Sequence, residues 1–119
     1  MATWTKLPLS GSTNGKRILV TQTASPGDTI HTTDATTGVD NYDEIWINAF
    51  NSDTTNQIVT LQWGGTTAPN DSIVLTLAPQ AGLILMVAGD ILQNSLVVKA
   101  FASVANKITV GGFVNRSAA

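Results

Sequence analysis

The sequence predicts an all-β protein, an eight-stranded antiparallel β-sandwich with an N-terminal arm, on three observations. Turn residues recur at short, roughly regular intervals along the chain. The runs between them are short and rich in β-branched and aromatic residues, as strands require. No segment keeps an apolar period of about 3.6 residues for long enough to make a sizeable helix. At 119 residues the chain holds one domain's worth of core, with no Gly/Ser-rich linker and no internal repeat to divide it.

Residues 1–15, MATWTKLPLSGSTNG, contain Pro8 and Gly11 but no continuous strand pattern, so they read as an arm ahead of a single domain, 16–119. The first run, KRILVTQT (16–23), stops at Pro26-Gly27, where Pro sets φ and Gly accepts the opposite sign. DTIHT (28–32) follows and gives way to a Thr/Gly loop. DEIWINAF (43–50) runs into NSDTTN, and NQIVTLQW (56–63) into GGTTAPND, both made of turn residues. DSIVLTL (71–77) ends at APQAG, GLILMVA (82–88) at Gly89-Asp90, SLVVKAFA (95–102) at SVAN, and KITVGGFV (107–114) is the last.

Alternation assigns faces within these runs, because successive strand side chains point to opposite sides. Val59, Leu61 and Trp63 share a core face, as do Ile73, Leu75 and Leu77, and Ile108, Val110 and Val114. At Gly112 the same row has a gap for a bulky neighbour to fill. Three runs are apolar on both faces: Ile45, Ile47 and Ala49 oppose Trp46 and Phe50; Leu96, Val98 and Ala100 oppose Val97 and Phe101; Leu83, Leu85 and Val87 oppose Ile84 and Met86. An antiparallel sandwich strand ordinarily has one wet face, so a second apolar face needs a cover, from a neighbouring subunit, a chain terminus or a long loop. Oligomerisation is the expectation. Trp4, Leu7, Trp46, Phe50, Ile84, Met86, Val97 and Phe101 are the candidates for the interface.

Composition narrows the function classes. Charged residues are 12% of the chain, about half the usual share, and hydrophobic residues 43%. A surface so short of charge is poorly defended against association. The six basic residues are scattered and the net charge is −2, so direct nucleic-acid binding is not expected. The apolar stretch Leu83–Ala88 is far shorter than the roughly 18–20 residues a membrane-spanning helix takes. The N-terminus has no basic segment followed by a long apolar one, so no secretory signal is expected. Without cysteine there are no disulfides, thiol nucleophiles or zinc ribbons.

No catalytic, cofactor or metal site is expected. His31 is the single histidine, and in a flat strand Asp28 and Asp34, three residues to either side, fall on the opposite face from it. It reads as a polar residue at a strand end, and Asp43-Glu44 as a pair solvating a strand start. QWGGTTAPND lacks the GK[ST] ending and following helix of a phosphate loop. Trp4, Trp46 and Trp63 raise carbohydrate stacking, opposed by the core-facing position of Trp63 and the company of Phe50 on the face of Trp46. Trp4 on the arm is an aromatic anchor suited to gripping a neighbour.

The segments TWTKLPLSGSTNGK, TIHT, YDEIWINAFN, LQWGGTTAPND, GLILMVAG, LQNSLVVKAFA and GGFVNR, in this order and spacing, resemble a family of small tailed-bacteriophage virion proteins of the capsid decoration (cement) type. The resemblance runs from about Thr3 to Arg116, with Gln62 standing where the family leads one to expect an acid. It implies a jelly-roll sandwich that forms a homotrimer on the outer capsid surface and clamps adjacent major capsid protein subunits, with no catalytic residues. A head–tail or tail position, or a carbohydrate-binding module of the virion, is the alternative.

Overall fold

The computed structural model describes residues 2–119. Among these there is no helix. The strands are β1 (Thr3–Pro8), β2 (Ile18–Leu19), β3 (Asp28–Thr32), β4 (Tyr42–Asn51), β5 (Gln57–Trp63), β6 (Ser72–Leu77), β7 (Ile84–Leu92), β8 (Val97–Ala102) and β9 (Ile108–Ala118). They form two antiparallel sheets. The first has the order β1-β9-β4-β7, with β2 also pairing to β9; the second has the order β3-β8-β5-β6. Only β1 to β2 and β5 to β6 stay within one sheet, so every other connection passes from one sheet to the other.

The core lies between the sheets and is built by the predicted alternation. Along β4, Asp43, Ile45, Ile47, Ala49 and Asn51 are buried, while the residues between them are half-buried on the outer side. From β9, Ile108, Val110 and Val114 meet this row, and Val59, Leu61, Val98, Ala100 and Ala102 face it from the second sheet. Each large aliphatic side chain so buried stabilises by roughly 1.5–3 kcal/mol before chain entropy is counted. The eight expected strands correspond to β2 through β9. The run expected at 16–23 shortens to β2 because the Asp28 carboxylate accepts the N–H groups of Thr21 and Gln22, at 2.6 and 3.1 Å, and bends the chain away.

The ninth strand is β1, in the segment expected as an arm. It pairs with β9 from Thr3 opposite Ala118 to Pro8 opposite Phe113. Leu9, one residue on, is buried in the core. A strand of this kind is hard to see in sequence, because all its side chains except Leu7 are exposed and no alternation marks it.

Bulges also break the expected parity. Opposite β4, Val87 pairs with Ile47 and Leu85 with Asn48, leaving Met86 as an extra residue; Gly89 is extra between Ala88 and Asp90. Ile84, Met86 and Val87 therefore all turn toward the core, whereas Leu83 and Leu85 are exposed. The expected division of Leu83, Leu85 and Val87 from Ile84 and Met86 gives way to this one. Gly89 has φ +84°, and a Cβ there would press on the Trp46 ring.

Gly112 is the tightest point of the first sheet. Its φ is +150°, and a Cβ would collide with the backbone carbonyl of Trp46 on β4. The gap expected at Gly112 is thus filled by main chain, with no bulky side chain involved. Gly112→Ala is expected to destabilise the domain by more than about 2 kcal/mol, through both strain and a displaced strand. A lowered urea midpoint with unchanged slope will report it.

Candidate functional site

Two arrangements carry the polar and aromatic residues singled out in the sequence, one buried and one outward. The buried one joins both sheets. In β3 a bulge between Thr29 and His31 lets Ile30 and His31 both face inward. His31, 1% exposed, lies 2.6 Å by its Nε2 from Oδ2 of Asp43, which is 0% exposed. Arg116 of β9 donates to the same carboxylate twice, from Nε to Oδ1 at 2.7 Å and from Nη2 to Oδ2 at 2.9 Å. Ser10 N–H donates to His31 Nδ1 at 3.0 Å, so Nδ1 carries the lone pair and Nε2 the proton given to Asp43.

This corrects two sequence readings. Asp43 does not solvate a strand start, and His31 is not a polar strand end. Both are interior, and the acid partner of His31 comes from β4 and not from Asp28 or Asp34. Burial alone would push the Asp43 carboxyl up, but the hydrogen bonds from Arg116 and His31, with the charge of Arg116, outweigh it and hold the value down at about 2. Arg116 is raised in return, mainly by its hydrogen bonds to Asp43. His31 and Asp43 are closed off from solvent, whereas the Arg116 side chain stays 28% exposed. No group of three or more His, Cys, Asp or Glu side chains able to hold a metal ion occurs among the described residues.

The outward arrangement is the outer face of the first sheet. Register places Trp4, Ser117 and Tyr42 in one row, and Lys6, Asn115, Glu44 and Ile91 in the next. Pro8, Phe113, Trp46 and Ala88 make the third row. Asn48 and Leu85 follow, then Leu19, Thr109 and Phe50. Five of the chain's seven aromatic residues therefore share this one face. Trp46 and Phe113 stack with ring centroids 5.9 Å apart and planes within 9°, and the Lys6 ammonium sits 4.4 Å over the Phe113 ring. Trp4 meets Tyr42 edge-on at 5.7 Å. Leu85, Ile91 and Trp4 remain 56%, 51% and 52% exposed.

Polar groups on this face are tied down. Trp46 Nε1–H donates to Glu44 Oε1 at 3.2 Å, and Asn115 donates to the same oxygen. Arg17 lies across Gly111, where a side chain would strike its guanidinium. It donates from Nε to Thr109 Oγ1 at 2.9 Å and from Nη1 to Asn48 Oδ1 at 2.6 Å. Burial lowers the pKa of Arg17 from its ordinary value. The stacked pair, with Gly89 against Trp46 and Lys6 over Phe113, leaves little free ring face for a sugar to stack on.

Of the eight interface candidates, the structure brings together Trp4, Trp46 and Phe50. Leu7, Ile84 and Met86 pack against the core. Val97 and Phe101 belong to β8 in the second sheet, Val97 beside a cleft of about 240 Å³ lined also by Gly64, Gly65 and Lys99. Part of that sheet's outer side is already covered: Gln62 is buried because Gly27 N–H donates to its Oε1 and its Nε2 donates to Ser25 Oγ. Tyr42, Leu85, Ile91 and Phe113 were missed. Parity along KITVGGFV does place Phe113 opposite the core row, but Leu85 and Ile91 depend on bulges that leave no local mark.

The depressed Asp43 value ties stability to pH. Its folded pKa lies below its unfolded value of about 3.8, so its contribution is present above that value and is lost as pH falls toward about 2. The shift corresponds to about 2 kcal/mol. Asp43→Asn is expected to be less stable than wild type at neutral pH by about 3 kcal/mol, and the gap is expected to shrink by about 2 kcal/mol by pH ~2. Urea unfolding of both proteins across the acid range measures this directly.

Comparison with protein-family models, with curated proteins and with solved structures finds no match to the chain.

Proposed function

We propose that the protein is a structural component of a phage virion, a capsid decoration protein that trimerises on the outer shell and clamps adjacent major capsid subunits. The observation that carries this reading is the outer face of the first sheet. It gathers five aromatics with exposed Leu19, Leu85 and Ile91 in a chain whose charged share is only 12%. A face that gathers so many exposed aromatic and aliphatic side chains among a few tied-down polar groups suits an interaction surface. The occupant proposed for it is a second copy of the chain, within the trimer.

Strand pairing supports a jelly-roll reading of the fold. β2 pairs with β9, β3 with β8, β4 with β7 and β5 with β6, the nested set that one long antiparallel hairpin makes when rolled into two sheets. The sequence resemblance across Thr3 to Arg116 points the same way. The mechanism is mass action: a protein that binds assembled shell and not free subunits stabilises the shell by its binding free energy, and a symmetric trimer adds avidity.

Native mass measurement is expected to give a trimer, and a monomer that persists at high concentration would count decisively against it. Leu85→Asp and Ile91→Asp are expected to shift the protein toward monomer while leaving thermal unfolding within about 0.5 kcal/mol of wild type, as exposed sites allow. Ile84→Asp, directed at the core, is expected to lower stability by at least about 2 kcal/mol. If Leu85→Asp and Ile91→Asp trimers are as tight as wild type, the outer face is not the contact.

A further inference from the structure

The cleft of about 240 Å³ beside Val97 lies apart from both arrangements, between two left-handed turns. On one side Gly64 has φ +76°; on the other Asn94 and Ser95 have φ +62° and +65°. Serine is rarely held in that conformation, and backbone strain that persists tends to cluster at functional sites. Both turns are tied down. Gly64 N–H donates to the Val97 carbonyl at 3.0 Å, and Thr67 N–H donates to Asp71 Oδ2 at 3.0 Å. Ser95 N–H donates to the Asp34 carbonyl at 3.1 Å. The cleft is therefore preformed.

We propose that this cleft is a binding site for a carboxylate on a short aliphatic stem, with Lys99 as its charge partner. The proposal does not rest on the virion reading.

Lys99 is the one charged side chain of the lining, and its ammonium has no ion pair among the described residues. Its ladder neighbours are neutral: Thr29 on β3, and Gln62 on β5, whose amide is already taken by Gly27 and Ser25. The hydroxyls of Thr66 and Ser95 and the N–H groups of Gly65 and Thr66 also belong to the lining. None of them has a hydrogen-bond partner among the described residues. A lone cation among unused donors favours an anion. The acids of the adjoining loops do not compete for Lys99 from within the cleft. Asp34 and Asp71 lie outside the lining, and their carboxylates accept the N–H groups of Thr36 and Thr67. The rest of the lining selects the class of anion. Leu96 and Val97 form an apolar wall, which suits methylene groups and gains nothing from a phosphate. A single lysine, with no arginine fork beside it, matches one negative charge. The volume falls below the roughly 300–1,000 Å³ of drug-sized ligand sites, which limits the occupant to a few carbon atoms and their carboxylate. Such a group exists free, as a small dicarboxylate, or as the acidic side chain of a protein.

Amide NMR of the full chain at neutral pH, titrated separately with glutarate and with the N-acetyl, N-methylamide derivative of glutamic acid, tests the proposal. Glutarate represents the free carboxylate and the derivative a protein's side chain, so the tighter of the two identifies the source. Saturable shifts are expected at the Gly65, Thr66 and Ser95 amides at millimolar probe, with Ile47 and Val110 unmoved. The neutral amide counterpart of each probe is expected to bind at least about tenfold more weakly, as loss of a charge-assisted contact implies. Lys99→Gln is expected to weaken carboxylate binding by a similar factor while its urea midpoint stays near wild type, as a half-exposed site allows. Four results would each overturn the site: no saturable shift with either probe, equal binding of the neutral amides, undiminished binding by Lys99→Gln, or phosphate binding as tightly as the carboxylates. If Lys99→Gln does not fold, the neutral amides and phosphate decide on the wild-type protein.

Discussion

The structure depends on keeping one carboxylate ionised where there is no water. Asp43 sits between the sheets, and a bare charge there would cost far more than the domain's net stability. The chain solves this with partners from three directions. Arg116 comes from the neighbouring strand of the same sheet, directly opposite in register. His31 comes from the other sheet, and Ser10, bonded to His31, from the crossing N-terminal segment. A one-residue slip of β9 against β4 would send Arg116 to the outer face and leave Asp43 unpaired, a loss on the order of 3–5 kcal/mol. The cluster thus adds specificity to a sheet pairing that the surrounding Ile and Val rows alone would favour less sharply.

The strands themselves were legible because their evidence is local. Along Tyr42–Asn51 the apolar residues alternate without interruption, and the structure buries every second one. What was not legible depended on distant partners. His31 looks like a strand-end residue until a bulge turns it inward toward Asp43, and that bulge has no local signal in DTIHT. Asp43 beside Glu44 looks like a solvated pair, since the identity of its partner lies 73 residues away at Arg116. β1 has no buried stripe to announce it, because pairing with β9 supplies backbone hydrogen bonds and little burial. Local alternation finds the sheet's interior; its edges, bulges and ion pairs belong to the tertiary fold.

The candidate surface was half legible for the same reason. Trp46 and Phe50 could be placed outward by parity from Ile45 and Ile47. Their companions Leu85 and Ile91 reach that face only because Met86 and Gly89 are extra residues against β4. A flat reading of GLILMVA therefore assigned Ile84 and Met86 to the outside when they face the core. The all-round apolar character of that run has two causes: one part fills the core of an edge strand, and the other lies on an exposed face.

Both arrangements are built on the same two strands, and this links the interior to the surface. Asp43 opposite Arg116 belongs to the same unbroken ladder that puts Trp46 opposite Phe113, three pairs further on. The stacked rings, the Glu44 acceptor and the Arg17 brace then hold the outer side chains in place before any partner arrives. A surface ordered in advance loses less conformational freedom on association, and one with few ions has little to desolvate. For the assembly role proposed here, that is the useful property: the contact face is stiff because the opposite side of the same strands is locked from within.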